Sequence, residues 1–312
     1  MREHLPTISN QSSDHHHLTP KLSDYLRAAL SDNSRRAYQS DLTHFLTWGG
    51  SIPATQEVVA CYLVTHAEQY SMATLARRVV SISKAHTAQG LISPTDSEFV
   101  RMALRGIRHT HGSAQRQVAP AIKEDLLLMV AGLAGTKGVR DKALLLVGFA
   151  GAFRRSELVA LTILDIEYVK QGLVVHVRRS KTDQDGRGRK IAIPFARGAV
   201  CPVLALQNWL EVSRITEGPI FRPVNRQGDI ADSRLTAQSV ALVIKERAKA
   251  AGLDSSRYAG HSLRAGLVTS AAQMGVSSWK IQQQTGHKSE AMLARYIRDA
   301  NIFVNNAAGV VL

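Results

Sequence analysis

The sequence has few of the features that mark secreted or membrane proteins. Only two of its 312 residues are cysteines, Cys61 and Cys201, so there is neither a disulfide framework nor a zinc-ligand spacing. We expect both to be small buried apolar residues. The first twenty residues lack the apolar core of a signal peptide, and no apolar run approaches the length of a membrane span. These absences favour a cytoplasmic protein with no membrane partner.

Acidic residues are also scarce, and their distribution is uneven. The chain has 39 lysines and arginines against 25 aspartates and glutamates, a formal charge of +14. Residues 1–110 hold 11 basic against 9 acidic residues, whereas the remainder holds 28 against 16. This asymmetry favours a polyanionic partner held mainly by the second part of the chain, the alternative being a charged surface that only aids solubility. No cluster of carboxylates is spaced to hold Mg²⁺, so the sequence offers no site for this metal.

Helical patterns dominate the first third of the chain. The polar, aperiodic segment 1–19 predicts a disordered tail. Five segments with capping residues and apolar faces predict a small all-helical domain over residues 20–109. In the second of these segments, Asn33 or Ser34 is the expected N-cap. The polar segment 110–120, which ends in proline, predicts a linker.

Residues 121–312 combine helical patterns with a short β-like region. The segments "GLVVHVRRSKT" and "KIAIP" predict strands on either side of the turn-rich "DQDGRGR". We therefore expect a mainly α (α+β) fold, with an all-helical N-terminal domain and a mixed helical C-terminal domain that contains a small antiparallel sheet.

Four separated segments supply cationic, imidazole and phenolic side chains: "GAFRRSEL", "RRSKTD", "GHSLRAG" and "TGHKSEAMLARYIRD". In chain order, the residues concerned are Arg154, Glu157, Lys181, His261, Arg264, His287 and Tyr296. Each segment alone is a weak signal, because an arginine near a glutamate is usually a surface ion pair and a lysine before a turn is usually solvated. The order and combination are what make the set specific.

In that order the set resembles the signature of the tyrosine recombinase (phage integrase) family, and the similarity extends from residue 20 onward. Within the family the chain looks most like the Cre recombinase branch, which has counterparts of "SPTDSEFVRMALRGIR", "GPIFRPVNRQG" and "YIRD". Where Cre carries a tryptophan, this chain has His287, the commoner residue in the wider family. The family pattern also identifies Arg154 as the catalytic arginine and leaves Arg155 for a phosphate contact or the solvent.

The resemblance implies a site-specific DNA recombinase that cleaves and rejoins duplex DNA without metal or ATP. Tyr296 would attack a DNA phosphate, form a 3′-phosphotyrosyl ester and expel a 5′-hydroxyl. Arg154 and Arg264 would stabilise the charge that develops on the equatorial oxygens.

The remaining residues of the set have supporting roles in this reaction. His261 would assist the loss of the phenolic proton, and Lys181 would protonate the departing oxygen. His287 would donate a hydrogen bond to a non-bridging oxygen. Glu157 would orient a neighbouring histidine or arginine.

Duplex DNA is the partner that the resemblance implies, bound with an affinity that falls steeply with salt. The basic residues expected to contact it are Arg77, Arg78, Lys84, Arg105, Arg108 and Arg155. Exchange between two duplexes implies a homotetramer on DNA, with accessory DNA-bending proteins as further candidate partners. The apolar tail 301–312 would dock on a neighbouring protomer or, alternatively, pack on its own domain.

Two other functions fit parts of the sequence. A type IB topoisomerase shares the chemistry but acts as a monomer, and the Cre-like N-terminal segments disfavour it. A non-cleaving DNA-binding relative should have lost a catalytic residue, whereas the set here is complete.

Overall fold

The structure is a computed structural model that describes residues 30–112, 118–178, 188–287, 289–291, 293–294, 296 and 308 of the chain. The chain divides into two compact units, Met1–Arg116 and Gln117–Leu312. The division lies within the segment 110–120, for which the sequence predicts a linker. In the described part of the chain, no helix has the length and apolar character needed to cross a membrane. The predicted tail and most of the first predicted helix lie outside the described residues.

The first unit is helical throughout the residues that are described. Its helices are α1 (Asp32–Trp48), α2 (Gln56–Thr65), α3 (Met72–Ala88) and α4 (Glu98–His111). Each begins after a serine or threonine whose hydroxyl accepts a hydrogen bond from a backbone N–H of the first turn. For α1 this residue is Ser31, so the predicted caps Asn33 and Ser34 were placed two to three residues too late. Helix α4 continues to His111, so it includes the first two residues of the predicted linker.

Buried apolar side chains from all four helices form the core of the first unit. Phe45, Tyr62, Leu75, Ile82 and Val100 each have no exposed surface. Cys61, in contrast, is exposed on α2, so the prediction that both cysteines are buried is wrong for this one. The neighbouring residues Val59, Ala60, Tyr62 and Leu63 occupy the buried face of that helix instead.

The second unit surrounds a small sheet with helices, within the part of it that is described. The helices are α5 (Lys123–Val130), α6 (Gly135–Ala150), α7 (Arg155–Ala160), α8 (Pro202–Ser213), α9 (Ala237–Ala250), α10 (Ser262–Gln273) and α11 (Ser278–Thr285). The antiparallel strands β1 (Ile166–Val169), β2 (Gly172–Val177) and β3 (Arg189–Pro194) lie in the order β1-β2-β3. The predicted fold class is confirmed. Strand β1 was not predicted.

The sheet register places one predicted functional residue in context. Val177 at the end of β2 pairs with Arg189 at the start of β3. The segment that carries Lys181 therefore connects two paired strands. Lys181 itself lies outside the described residues.

Helix α6 forms the centre of the second unit, because residues around most of its circumference are buried. Trp209 on α8 is fully buried, and its indole N–H donates to the backbone oxygen of Ile220 at 2.8 Å. Cys201 is buried at the start of the same helix, as predicted. A side chain at Gly148 of α6 would lie 2.9 Å from Leu263 and 3.0 Å from Leu158, so α10 and α7 both pack closely here.

The chain at the start of the second unit lies directly against α10. The backbone N–H of Ala119 donates to the oxygen of Arg257 at 2.7 Å, and that of Ala121 donates to the oxygen of Ser262 at 2.9 Å. A Cβ atom at Gly266 would be 1.7 Å from the oxygen of Ala121. Only glycine allows this approach, which fixes the position of the N-terminal half of α10.

Candidate active site

The N-terminus of α7 presents Arg154 together with a buried carboxylate. Arg154 caps the helix, and its backbone N–H donates to Oε2 of Glu157 at 3.0 Å. Its guanidinium Nη1 also donates to Oε1 of Glu157 at 2.6 Å. Glu157 is 3% exposed, so its charge is balanced locally by arginine instead of by water. The backbone and the side chain of Arg154 are therefore held by one glutamate.

A second arginine, which the sequence analysis did not select, binds the same carboxylate. Nη2 of Arg189 donates to Oε2 of Glu157 at 2.9 Å, and Nη1 donates to the backbone oxygen of Gln284 at 3.3 Å. A signal for it was present, because Arg189 shares the inward face of β3 with the buried Ile191 and Ile193.

Arg264 is the most deeply buried cation of the site, with 1% of its surface exposed. It lies on α10, where Nη1 donates to the backbone oxygen of Ala152 at 2.7 Å and Nη2 donates to Nε2 of His287 at 3.2 Å. Burial, reinforced by the nearby charge of Arg154, lowers the pKa of Arg264 to about 10. The group therefore stays protonated at neutral pH.

His287 is held in one tautomer by its two neighbours. A guanidinium has no acceptor atom, so Nε2 of His287 must accept the hydrogen bond from Arg264. The proton is then on Nδ1, which donates to Oγ1 of Thr285 at 2.7 Å, while that hydroxyl donates to the oxygen of Ile281 at 2.8 Å. Burial, with the charge of Arg264 next in size, lowers the pKa of His287 to about 3.

Thr285 is a second site residue that the sequence analysis did not select. Its side chain is fully buried at the end of α11, four residues after the buried Ile281. This helical spacing placed it on the inward face, but nothing in the sequence indicated that its partner would be an imidazole.

His261 and Tyr296 meet at the open side of the site. Nε2 of His261 lies 2.9 Å from the phenolic oxygen of Tyr296, and the two rings are tilted by 41°. The surface of His261 is exposed, but partial desolvation and the charges of Arg264 and Arg154 lower its pKa below the ordinary value of 6.5. A neutral His261 therefore accepts a hydrogen bond from the phenol at neutral pH. Both residues belong to the same chain.

The basic residues that were expected to contact DNA fall into different environments. Lys84, Arg105, Arg108 and Arg155 are exposed. Arg105 forms an ion pair with Glu98, and Nη1 of Arg155 lies 3.4 Å from Oε1 of Gln238.

Arg77 and Arg78 both lie near the buried Asp41 of the first unit. Arg77 donates to both carboxylate oxygens, at 2.8 and 2.9 Å, and remains half exposed. Arg78 is 5% exposed, and its guanidinium lies 3.8 Å from the centre of the Tyr70 ring. The prediction of a DNA contact does not fit Arg78, because its guanidinium is buried inside the unit beside Asp41 and the Tyr70 ring.

The described residues therefore bring together Arg154, Glu157, Arg264, His261, His287 and Tyr296 from the predicted set, and add Arg189. Two guanidiniums on one carboxylate, with a third guanidinium on His287, leave excess positive charge near a phenol and two imidazoles. Chemically, this arrangement could bind a phosphate group next to a tyrosine hydroxyl. Among the described residues, no group of three histidine, cysteine, aspartate or glutamate side chains is arranged to hold a metal ion.

Comparisons with known proteins assign the family. The model of the phage integrase family matches residues 123–301. The integrase/recombinase xerD homolog of Selenomonas ruminantium is 41% identical over 301 residues, which cover 93% of this chain and 88% of that protein. The chain therefore belongs to the phage integrase family, an enzyme family of tyrosine recombinases.

More distant similarities agree with this assignment. The recombinase cre of Escherichia phage P1 is 23% identical over 268 residues, which cover 79% of this chain and 77% of that protein. Among solved structures, the Tn1549 transposon integrase in complex with transposon right end DNA superposes with a TM-score of 0.65 at 14% identity. That alignment covers 88% of this chain and 92% of that one, so the fold is shared over both units.

Proposed function

We propose that the protein is a site-specific DNA recombinase that cleaves and rejoins duplex DNA through a 3′-phosphotyrosyl intermediate. The observation that carries the proposal is the 2.9 Å contact between Nε2 of His261 and the phenolic oxygen of Tyr296. His261 lies three residues before the buried Arg264. A nucleophile, a proton acceptor and a phosphate-binding cation are thus supplied by one chain.

Arg154 and Arg264 suit the charge of the transition state. Phosphoryl transfer spreads negative charge over three equatorial oxygens, and guanidiniums present several fixed donors without losing their proton. By comparison with other preorganised donors, each arginine would contribute about 3 kcal/mol or more to transition-state binding. Glu157 would hold Arg154 in the required orientation through its two hydrogen bonds.

His261 is the proposed proton acceptor for the attack. A free phenol titrates near pH ~10, so Tyr296 needs help to lose its proton at neutral pH. The neutral imidazole already accepts from this phenol, and the neighbouring arginines stabilise the phenolate. Lys181, on the connection between β2 and β3, is the proposed acid for the departing 5′-oxygen. The reaction needs neither a metal ion nor ATP.

The role of His287 requires a rearrangement when a phosphate arrives. In the structure Nε2 of His287 accepts a hydrogen bond from Arg264, so His287 has no proton to donate from this atom. Once Arg264 turns to the phosphate, a proton on Nε2 would let His287 donate to a non-bridging oxygen. Thr285 supports both states, because a hydroxyl either accepts from Nδ1 or donates to it.

Strand exchange between two duplexes requires four protomers, and the second unit has a surface suited to one contact between them. A largely apolar groove of about 490 Å³ is lined by side chains of α5, α6 and α11, including Leu126, Phe149 and Ile281. The apolar tail 301–312 of a neighbouring protomer is the proposed occupant. Affinity for DNA would come mainly from exposed cations, such as Arg155 in the second unit and Lys84 and Arg108 in the first.

The resemblance to the Cre branch in particular stays a prediction, since the identity of 23% to the phage P1 recombinase is well below the 41% to the xerD homolog. A monomeric type IB topoisomerase is the alternative with the same chemistry. Relaxation of supercoils at random sites, without exchange between paired sites, would favour it. A non-cleaving relative is disfavoured because each described catalytic side chain contacts another residue of the predicted set. Arg154 contacts Glu157, Arg264 contacts His287, and His261 contacts Tyr296.

The test begins by finding the DNA that becomes joined to the protein. Purified protein is incubated with sheared DNA of the source organism, recovered under denaturing conditions, and the covalently attached DNA is sequenced. A nicked duplex that carries the recovered sequence then traps the intermediate. Tyr296→Phe should form no adduct because it lacks the nucleophilic oxygen, whereas Tyr168→Phe, which removes an exposed hydroxyl on β1, should react as the wild type does. An adduct formed by Tyr296→Phe would refute the proposed nucleophile.

A further inference from the structure

Arg189 connects three segments of the site that are far apart in the sequence. It is the first residue of β3 and therefore lies at the base of the connection that carries Lys181. One end of its guanidinium donates to Glu157 at 2.9 Å, and the other donates to the backbone of Gln284 at 3.3 Å. A single side chain thus links the hairpin, the N-terminus of α7 and the end of α11.

The backbone beside Arg189 is shaped to admit it. Gly286 has a φ of +66°, in the left-handed region that favours glycine. A Cβ atom at this position would lie 2.3 Å from Nη1 of Arg189, closer than any real contact. The residue that follows is His287, so the guanidinium packs against the turn that delivers this histidine to the site.

Both Nη atoms of Arg189, like those of Arg264, are bound by the protein, but those of Arg189 bind a carboxylate and a backbone oxygen and neither binds an imidazole of the site. Its Nη atoms are occupied by protein acceptors, and its side chain is 19% exposed. Its contacts are to groups that hold Arg154 and His287, and not to the open side where His261 and Tyr296 meet. Its position suits an indirect effect on the reaction.

We propose that Arg189 is a positioning residue that assembles the hairpin base, Glu157 and the turn before His287 into one arrangement before DNA binds. In its absence Glu157 would keep only Arg154, and the turn at Gly286 would lose a contact that restrains it. Arg154 and His287 would then have to be ordered by the DNA itself. The effect on catalysis rests on the proposed function, whereas the effect on local order does not.

The first test compares Arg189→Met with Lys190→Met, which removes a positive charge from the next, exposed residue of the same strand. Single-turnover cleavage is measured on the nicked duplex that carries the mapped sequence. Arg189→Met should cleave about 100-fold more slowly, because misplacement of catalytic groups by about 1 Å has effects of this size. DNA affinity should be unchanged in both variants, and Lys190→Met should cleave at the wild-type rate. Arg189→Lys, which keeps the charge and one donor, should recover part of the loss.

A double-mutant cycle identifies the route of the effect. If Arg189 acts through Glu157, Arg189→Met combined with Glu157→Gln should cleave no more slowly than the slower single variant. Two losses that simply multiply would show that Arg189 acts independently of Glu157, which would overturn the proposal. Wild-type cleavage by Arg189→Met would overturn it as well.

Hydrogen exchange provides a test that needs no DNA. The amide of Gly286 donates to the oxygen of Gln282 at 2.7 Å, and its exchange reports the order of the turn. Exchange at Gly286 and at Leu158 should be faster in Arg189→Met than in Lys190→Met; equal exchange in the two variants would overturn the proposal. If the wild-type protein forms no adduct with any DNA, the proposed function fails while this comparison still decides the positioning role.

Discussion

Acidification should destabilise the protein through His287 in particular. The folded state protonates this residue only near a pKa of about 3, whereas an unfolded histidine titrates near its ordinary value of 6.5. Between these values the unfolded chain binds one more proton than the folded chain does. The free energy of unfolding therefore falls as the pH drops below about 6.5.

The size of the effect follows from the two pKa values. At pH 5 the unfolded histidine is almost fully protonated and the folded one is neutral, which corresponds to a loss of about 2 kcal/mol relative to pH 7. Such a loss is a large fraction of the stability of an ordinary domain. Other histidines contribute as well, so the expected value is a difference between two variants.

The assay is urea unfolding at pH 7 and pH 5 for the wild type and for His287→Gln. The variant should lose about 2 kcal/mol less than the wild type does over this interval, because its side chain at 287 cannot titrate. Two-bond ¹⁵N–¹H spectra of the histidines would report the tautomer as well. Titration of His287 near 6.5, or equal losses in wild type and His287→Gln, would refute the reasoning.

Two further substitutions test the packing around the site. Thr285→Val keeps the shape of the side chain but leaves Nδ1 of His287 without a partner, so it should lower the free energy of urea unfolding by about 1–3 kcal/mol. Thr285→Ser keeps the hydroxyl and should lower it less. Equal stability of the two variants would contradict the assigned hydrogen bond. Gly266→Ala gains about 1 kcal/mol of helix propensity but places a Cβ atom 1.7 Å from the oxygen of Ala121. The free energy of unfolding should therefore fall by about 2 kcal/mol or more, and the thermal midpoint should fall with it. Gly106→Ala in α4, where a Cβ atom meets nothing within 4 Å, should be stabilising in the same assay, and a stabilised Gly266→Ala would contradict the close approach.

Motif order was sufficient to select most of the site, because its residues occur in short segments with fixed spacing. The family pattern distinguished Arg154 from its neighbour, and the structure places Arg154 against Glu157 while Arg155 is exposed. Arg78 shows the limit of reasoning from charge. It shares a helical face with Leu75 and Ile82, both fully buried, so its position in α3 was a better guide than its charge.

Contacts between distant segments are what the sequence does not specify. Arg189 and Glu157 meet only because the fold brings the start of β3 near the N-terminus of α7, and their separation in the sequence has no periodic meaning. The tautomer of His287 likewise depends on Thr285 and Arg264, which come from two different helices. The exact start of a helix is hard to predict for another reason. Ser31, Asn33 and Ser34 are all suitable N-caps, and the local sequence does not show which of them is used.

The attachment of residues 119–121 to α10 has a mechanical consequence. The polypeptide that arrives from the first unit is tied by backbone hydrogen bonds to Arg257 and Ser262, on either side of the turn that leads into His261. A displacement of residues 119–121 would therefore act directly on the start of α10, the helix that carries Arg264.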